Sequence, residues 1–262
     1  MYNNPIGIFD SGVGGLSILK SVKKLLPYET FLYIADQKNN PYGGRSIEEI
    51  QMLSSKVATF LTNKKVKLII IACNTVSVNA IDHLRSEFKT PIIAVVPVVK
   101  TIAERTATGR AAVFSTPATA KSAYLEKMIK KFGKGVDIYS VGNSKLEYLV
   151  EDGIISGPEI ETALKNSMLP LLEKNVDSIA LGCTHYPFLI PEIKKIVGAK
   201  AKIYTSGGAI ARRTHYVLSY ESLLADKKGK DTYFTTGDPE KFEKIAGKLL
   251  KEEIGFVEEV EL

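Results

Sequence analysis

Short apolar runs alternate along the chain with segments in which apolar residues recur every three or four positions. The runs have the length of buried strands and lie at 6–9, 31–34, 68–71, 92–96, 110–115, 136–139, 177–181 and 201–204. The recurring positions each predict one face of a helix and include Leu16, Leu19, Val22 and Leu26, then Val76, Ala80, Leu84 and Phe88. This alternation predicts an α/β fold whose mostly parallel sheets carry helices on both faces.

The order of these elements repeats about halfway along the chain. The segment around Ser115 resembles the one around Asp10, and the segment ending at Cys183 resembles the one ending at Cys73. The two offsets are 105 and 110 residues, as expected for copies of one unit that differ by loop insertions. We therefore predict two similar α/β domains from an internal duplication, with the active site in the cleft between them. The first contains residues 1–97 and 207–262, and the second contains residues 98–206.

The composition and charge of the chain favour a globular protein over a membrane protein or a nucleic-acid-binding protein. Of the 262 residues, 45% are hydrophobic, which is enough for sizeable cores, and no apolar run approaches the roughly 18 residues that span a bilayer. The first residues lack the pattern of a signal peptide, so we expect a cytoplasmic protein with no membrane partner. The net charge of +6 comes from lysines scattered along predicted helices, which favours a solvated surface over a nucleic-acid interface.

Both cysteines of the chain directly follow predicted buried strands. Cys73 comes after Leu-Ile-Ile-Ile-Ala, and Cys183 comes after Ser-Ile-Ala-Leu-Gly. Open parallel sheets bind ligands at this end of their strands, and a helix N-terminus beside a thiol lowers its pKa. A free cysteine is most often a small buried apolar residue, but two equivalent positions favour chemistry that needs a matched pair of thiols. Two cysteines and three histidines make no compact zinc motif, so we expect no metal.

Hydrogen-bonding residues follow each cysteine. Asn74 and Thr75 come after the first, and Thr184 and His185 come after the second. Each pair either caps the helix that follows or directs amide, hydroxyl and imidazole groups at a small polar ligand. The residues by themselves leave both readings open.

Two glycine-containing turns carry further polar side chains. Asp10 and Ser11 open a turn before a predicted helix. Either residue can cap that helix, and the N–H groups that follow can hold an anion such as a carboxylate. The segment 41–44, Pro-Tyr-Gly-Gly, is a turn signature. Glu151 by itself has the pattern of an exposed helix end.

Five motifs together resemble the glutamate racemases, and they occur in that family's order over nearly the whole chain. They are Ile-Phe-Asp-Ser-Gly-Val-Gly-Gly-Leu at 8–16, Pro-Tyr-Gly at 41–43, Ala-Cys-Asn-Thr at 72–75, Leu-Gly-Cys-Thr-His-Tyr-Pro at 181–187 and Tyr-Phe-Thr-Thr-Gly-Asp-Pro at 233–239. The resemblance implies a two-domain enzyme without a cofactor that interconverts L- and D-glutamate and supplies D-glutamate for bacterial peptidoglycan.

The resemblance also implies roles for individual residues. Cys73 takes the α-proton from D-glutamate and Cys183 takes it from L-glutamate, on opposite faces of one carbon. Asp10 assists Cys73, whereas His185 and Glu151 assist Cys183. The positions that match the family's substrate-binding residues are Asp10, Ser11, Pro41, Tyr42, Gly43, Asn74, Thr75, Ser115, Thr116, Thr119, Thr184 and His185. The loop around Thr116 departs from the family, with Ala118 and Ala120 where glycine and valine are more usual.

Three further expectations follow from the resemblance. The protein forms a homodimer, nucleic acid is not its partner, and binding to DNA gyrase, described for some relatives, is a possible side activity. The chain begins close to its first predicted strand, so we do not expect the N-terminal extension tied to activator control in some relatives.

Alternatives remain open at this point. A racemase for aspartate or another acidic amino acid differs only in the length of its pocket, which the sequence defines poorly. A thiol hydrolase would use Cys183 as the nucleophile and His185 as the base, but it leaves Cys73 without a role. A protein whose basic surface binds gyrase is the third class.

Overall fold

The computed structural model describes residues 2–262, which form ten strands. They are β1 (Ile6–Asp10), β2 (Phe31–Ala35), β3 (Leu68–Ile71), β4 (Ile92–Ala94), β5 (Arg110–Ser115), β6 (Asp137–Gly142), β7 (Ser178–Leu181), β8 (Lys202–Tyr204), β9 (Thr232–Thr235) and β10 (Val257–Glu259). Each apolar run singled out above overlaps one of the first eight strands, with ends that differ by up to three residues.

The same residues form twelve α-helices. They are α1 (Leu16–Leu25), α2 (Ile47–Asn63), α3 (Asn74–Asn79), α4 (Ile81–Glu87), α5 (Val99–Arg105), α6 (Pro117–Ala120), α7 (Ala123–Phe132), α8 (Lys145–Glu151), α9 (Pro158–Glu173), α10 (Ile190–Val197), α11 (Gly207–Tyr220) and α12 (Pro239–Leu250). Short 3₁₀ turns lie at Gln37–Asn39, Tyr42–Gly44 and Tyr186–Leu189. None of these helices is long and apolar enough to cross a membrane.

The chain divides into two compact units, each built on one parallel sheet. One unit contains the chain up to Val95 together with Gly207–Leu262, and the other contains Val96–Ser206. The first sheet has the strand order β10-β9-β2-β1-β3-β4, and the second has the order β6-β5-β7-β8. All the pairings are parallel. The predicted α/β class with parallel sheets is therefore confirmed.

Strand order supports the internal duplication. The four strands β2-β1-β3-β4 of the first sheet follow the same pattern as β6-β5-β7-β8 of the second. The segment after α11 adds two strands to the first sheet, because β9 pairs with β2 and β10 pairs with β9. Neither addition has a counterpart in the second sheet, so the first unit is an extended copy of the shared pattern.

One predicted helix is two helices in the structure. The buried face that begins at Val76 is carried by α3 and α4, which are separated by Ala80 at φ −129°. Within α3, the side chains of Ser77 and Asn79 donate hydrogen bonds to backbone carbonyls four residues earlier. Such bonds compete with the helical backbone bonds, which accounts for the interruption. The apolar spacing predicted the buried face and not the break.

A buried ion pair fastens distant segments of the first unit. Lys67 Nζ lies 2.6 Å from Glu29 Oε2, and the two side chains are only 2% and 3% exposed. Lys67 Nζ also donates to the carbonyl of Leu223, 2.7 Å away, and Glu29 Oε1 accepts from the backbone N–H of Ala225 at 2.9 Å. The pair therefore holds the segment that follows α11 against the start of β3.

Removing one partner of this ion pair tests its contribution to stability. Lys67→Met leaves the Glu29 carboxylate buried without a counter-ion, which we expect to cost about 3–5 kcal/mol in the free energy of unfolding. Glu29→Gln combined with Lys67→Met should cost less than Lys67→Met alone, because no unpaired charge remains. Urea unfolding monitored by circular dichroism measures both variants. Lys100→Met, which breaks an exposed pair with Glu104, is the control and should change little; an equally small effect of Lys67→Met would contradict the expectation.

Candidate active site

Cys73 lies where β3 delivers the chain to the carboxyl edge of the first sheet. All four residues of β3 are fully buried, as expected for a strand covered on both faces. Ala72 follows the strand, and Cys73 is the N-cap residue of α3. The thiol is 6% exposed, and its Sγ lies 3.6 Å from Ser11 Oγ. A predicted reactive thiol is thus beside a predicted substrate-binding hydroxyl.

Asp10 ends β1 beside Cys73, because β1 pairs with β3. Phe9 and Ile71 are partners in this register, and Asp10 is fully buried. Asp10 Oδ1 accepts hydrogen bonds from Gly12 N at 2.8 Å and from Ser11 Oγ at 3.5 Å. The expectation that Asp10 or Ser11 caps α1 is wrong: the N-cap residue is Gly15, without a side-chain cap. A Cβ on Gly15 would lie 2.7 Å from the Asp10 Cβ, so close packing, not capping, shapes this turn.

The residues 41–43 are held by Asp36, which the sequence arguments missed. Tyr42 Oη donates to Asp36 Oδ2 at 2.6 Å, and Thr236 Oγ1 donates to Asp36 Oδ1 at 2.7 Å. Burial, and then the Asp36 carboxylate, raise the pKa of Tyr42, so the phenol remains a neutral donor. Asp36 directly follows β2 and Asp10 is the last residue of the neighbouring β1, and an aspartate at the end of a second apolar run is the signal that could have identified it. The 233–239 motif thereby anchors the turn that carries Tyr42 and Gly43.

Asn74 and Thr75 form the first positions of α3 and are 5% and 6% exposed. Neither caps the helix by its side chain. Asn74 Oδ1 is buried and accepts no hydrogen bond from any residue between 2 and 262. A buried acceptor without a donor costs free energy, so this amide suits a ligand that brings an N–H group.

In the second unit, Cys183 follows β7 and begins a chain of acid–base groups. Cys183 Sγ lies 3.5 Å from His185 Nδ1, and His185 Nε2 lies 2.5 Å from Glu151 Oε1. Cys183 and His185 are 5% and 2% exposed. Glu151 is the last residue of α8. Its sequence pattern is that of an exposed helix end, but tertiary packing brings its carboxylate to His185.

The pKa of the Cys183 thiol departs from its usual value in the direction opposite to the one predicted from the sequence. Burial raises the pKa of Cys183, against the opposing influence of His185, so the predicted lowering of its pKa by a helix N-terminus is wrong. The element that follows is only a short 3₁₀ turn, and desolvation outweighs it. Burial alone would lower the pKa of His185, but the sulfur of Cys183 and the carboxylate of Glu151 raise it well above 6.5. The imidazolium form is therefore favoured beside this sulfur.

Glu147 is a second carboxylate at the same place, and the sequence arguments missed it. It precedes Glu151 by one turn of α8 and is 8% exposed. Burial raises its pKa, with His185 opposing and Glu151 reinforcing that change. The spacing Glu-x-x-x-Glu was a visible signal, since residues four apart share a helix face.

The predicted loop residues of the second unit begin with Ser115, the last residue of β5, at the same sheet edge as Cys183. Thr116 caps α6, accepting from Thr119 N at 3.4 Å and donating to Thr119 Oγ1 at 3.2 Å. Ser115 Oγ donates to the carbonyl of Thr116. Thr184 lies between Cys183 and His185 and is 5% exposed. The hydroxyl groups of Ser115 and Thr116 thus stabilise the turn that follows β5.

Two sets of predicted residues are thus each brought together within one unit. The set in the first unit is Asp10, Ser11, Pro41, Tyr42, Gly43, Cys73, Asn74 and Thr75, and the set in the second is Ser115, Thr116, Thr119, Glu151, Cys183, Thr184 and His185. Across residues 2–262, no three His, Cys, Asp or Glu side chains form a group that could hold a metal ion.

Known proteins are similar to this chain in sequence and fold. The family model "Asp/Glu/Hydantoin racemase" matches residues 14–214. The glutamate racemase of Roseiflexus sp. (strain RS-1) is 38% identical over 249 residues, which are 94% of this chain and 92% of that protein. The crystal structure of glutamate racemase isoform RacE1 from Bacillus anthracis is 32% identical with a TM-score of 0.90, covering 100% of this chain and 99% of that one.

A second solved structure includes a ligand. It is glutamate racemase from Francisella tularensis subsp. tularensis SCHU S4 in complex with D-glutamate, 32% identical with a TM-score of 0.86, covering 100% of this chain and 98% of that one. The resemblance drawn from the five motifs is confirmed by these similarities. The chain belongs to the Asp/Glu/Hydantoin racemase family and is an amino-acid racemase.

Proposed function

We propose that this protein interconverts L- and D-glutamate by proton transfer through Cys73 and Cys183. The observation that carries the proposal is the presence of two buried thiols after equivalent strands, β3 and β7, each with its own polar partners. Inversion of one stereocentre needs a base on one face of the carbon and an acid on the other. A duplicated unit that supplies one thiol per copy meets that need.

The proposed reaction leaves no net change in protons. A thiolate accepts the α-proton, and the electron pair of the broken C–H bond remains on the α-carbon and its carboxylate. The other thiol delivers its proton to the opposite face and becomes the thiolate. Cys73 is the base for D-glutamate and Cys183 is the base for L-glutamate, by analogy with the family.

Proton transfer by itself supplies too little catalysis for so weak an acid. General acid–base catalysis contributes about 10²–10⁴-fold, so the developing negative charge also needs preorganised donors. Those donors would come from the predicted substrate-binding hydroxyl, amide and backbone N–H groups. Asp10 would assist Cys73 in proton transfer, and the His185–Glu151 pair would assist Cys183. The remaining predicted substrate-binding residues would hold the ammonium and carboxylate groups, with the unpaired Asn74 amide oxygen suited to the ammonium.

Glutamate is the proposed substrate because the relatives and solved structures described above are glutamate racemases, one of them in complex with D-glutamate. The proposed physiological role is to supply D-glutamate for peptidoglycan. The homodimer and the binding of gyrase stay predictions from the resemblance.

Optical activity tests the substrate. Purified protein given L-glutamate without pyridoxal phosphate should bring the circular dichroism signal of the amino acid to zero, and D-glutamate should approach the same end point from the other sign. L-aspartate is the contrast substrate and should react much more slowly. Turnover of aspartate with no reaction of glutamate would overturn the choice of substrate.

Single cysteine variants test the division of labour. Cys73→Ala and Cys183→Ala should each lose racemisation by at least the roughly 10²–10⁴-fold assigned to a general acid or base, because each removes the group that serves one face. In D₂O the wild-type product should carry deuterium at the α-carbon, since the delivering thiol exchanges with solvent; mass spectrometry measures it. A thiol hydrolase would tolerate Cys73→Ala, so full activity of that variant would contradict the two-thiol reaction.

The pH dependence tests the His185–Glu151 pair. Glu151→Gln keeps a hydrogen-bond acceptor but removes the charge that helps raise the pKa of His185. The imidazolium should then be lost at a lower pH, so the alkaline limb of the kcat/KM profile moves to lower pH and kcat/KM near neutrality falls about 10²-fold. Asp152→Asn removes the same charge from the next, exposed position and should leave the limb in place. An unmoved limb in Glu151→Gln would exclude this electrostatic role.

A further inference from the structure

Glu147 is a buried carboxylate that the proposed reaction does not use. Its side chain makes no hydrogen bond or ion pair with another residue in the described part of the chain, 2–262, although only 8% of Glu147 is exposed. Carboxylates are rarely buried unless they are paired. No hydrogen bond or ion pair among the described residues therefore accounts for the burial of this carboxylate, and its charge acts on the groups around it.

The groups that face Glu147 come from its own helix and from the segment after β7. The 3₁₀ turn Tyr186–Leu189 packs against α8. Glu151, one turn after Glu147, lies 2.5 Å from His185 Nε2, and His185 Nδ1 lies 3.5 Å from Cys183 Sγ. The face of α8 that carries Glu147 is therefore next to the Cys183 group, and Glu147 acts electrostatically on that group. The helix α9 also packs against α8. The charged pair joining α8 to α9 is Lys145 with Glu159, 4.0 Å apart and more than half exposed, where solvent screens it.

The consequence for Cys183 follows from Coulomb's law. A negative charge near a buried sulfur disfavours the thiolate and favours the neutral thiol, and the low dielectric of the interior strengthens this influence. In its ionised form, which His185 favours against burial, the Glu147 carboxylate acts in this direction on Cys183, opposite to His185. Glu147 and His185 therefore have opposite influences on the proton equilibrium of this thiol, and Glu151 acts on it through His185.

We propose that Glu147 is a positioning residue that acts through Cys183. Its charge favours the thiol form of Cys183, so that in the enzyme without substrate the proton lies mainly on Cys183 and the form that accepts D-glutamate predominates. This inference deepens the proposed function and rests on it for the assignment of the two forms. In the form that accepts D-glutamate, Cys73 is the thiolate and Cys183 carries the proton. In the form that accepts L-glutamate, the proton lies on Cys73.

The bias has a particular kinetic signature. Because mirror-image amino acids have equal free energies, the equilibrium constant is one and kcat/KM must be equal in the two directions for every variant. Removing the charge of Glu147 stabilises the states with a Cys183 thiolate, including the complex with L-glutamate. The ratio of KM for L-glutamate to KM for D-glutamate should therefore fall, and the ratio of the two kcat values should fall by the same factor.

A direct titration of Cys183 tests the electrostatic part without any turnover. In a Cys73→Ser background, the ultraviolet absorbance of the Cys183 thiolate is followed against pH. Adding Glu147→Gln should move the midpoint to lower pH by about one unit, whereas Glu147→Asp, which restores a charge, should move it back toward the parent. Glu173→Gln, which removes an exposed carboxylate at the end of α9, is the matched control and should not move it. A midpoint that is unchanged or raised in Glu147→Gln overturns the proposal.

Kinetics with both cysteines present test the bias itself. Glu147→Gln should lower the KM ratio, L over D, by about three- to tenfold, the range expected for a shift of up to one pH unit in one group; an unchanged or raised ratio overturns the bias. Glu147→Leu removes the same charge with an apolar side chain suited to a buried position, and it should give the same changes if Glu147→Gln folds poorly. A protein that does not racemise glutamate refutes the proposed function, whereas the titration still decides the influence of Glu147 on Cys183.

Discussion

The parallel pairing of β1 with β3, and of β5 with β7, is the constraint on which both candidate catalytic groups depend. Parallel strands that start together also end together, so the residues that follow them meet at one edge of the sheet. Asp10 and Cys73 are 63 positions apart in the chain, yet the register that joins Phe9 to Ile71 makes them neighbours. The register that joins Phe114 to Leu181 does the same for the segments leading to Ser115 and Cys183.

The two thiols are both buried but have different polar neighbours. Cys73 lies beside the hydroxyl of Ser11, whereas Cys183 lies beside an imidazole that is bonded to a carboxylate. In a low-dielectric setting a neighbouring charge has a large influence on whether a thiol is ionised. The two copies of the unit therefore share a backbone pattern but differ in the groups that hold the proton.

Residues near the C-terminal end of the chain hold the turn that carries Tyr42 in the first unit. Thr236 follows β9 and donates to Asp36, which in turn accepts the hydrogen bond of Tyr42. Asp238 caps α12 just afterwards, with Pro239 at the first helical position, a sequence arrangement typical of helix starts. The 233–239 motif thus combines a helix start with an anchor for the turn at 41–43. This explains in physical terms why a segment remote from the thiols belongs with the other motifs.

The sequence by itself determined the parts of the protein that depend on local pattern. Continuous apolar runs predicted eight of the ten strands, their repetition predicted two parallel sheets, and polar residues placed directly after those runs predicted which segments carry the chemistry. Tertiary structure decided the rest. Glu151 had the sequence pattern of a helix end, but its carboxylate contacts His185. The sequence pattern did not identify Asp36 or Glu147. The turn after Asp10 is shaped by close packing at Gly15 and not by a side-chain cap. The physical reason is that hydrogen bonds and pKa values depend on every group that packing brings near, whereas hydrophobic periodicity depends only on the order of residues.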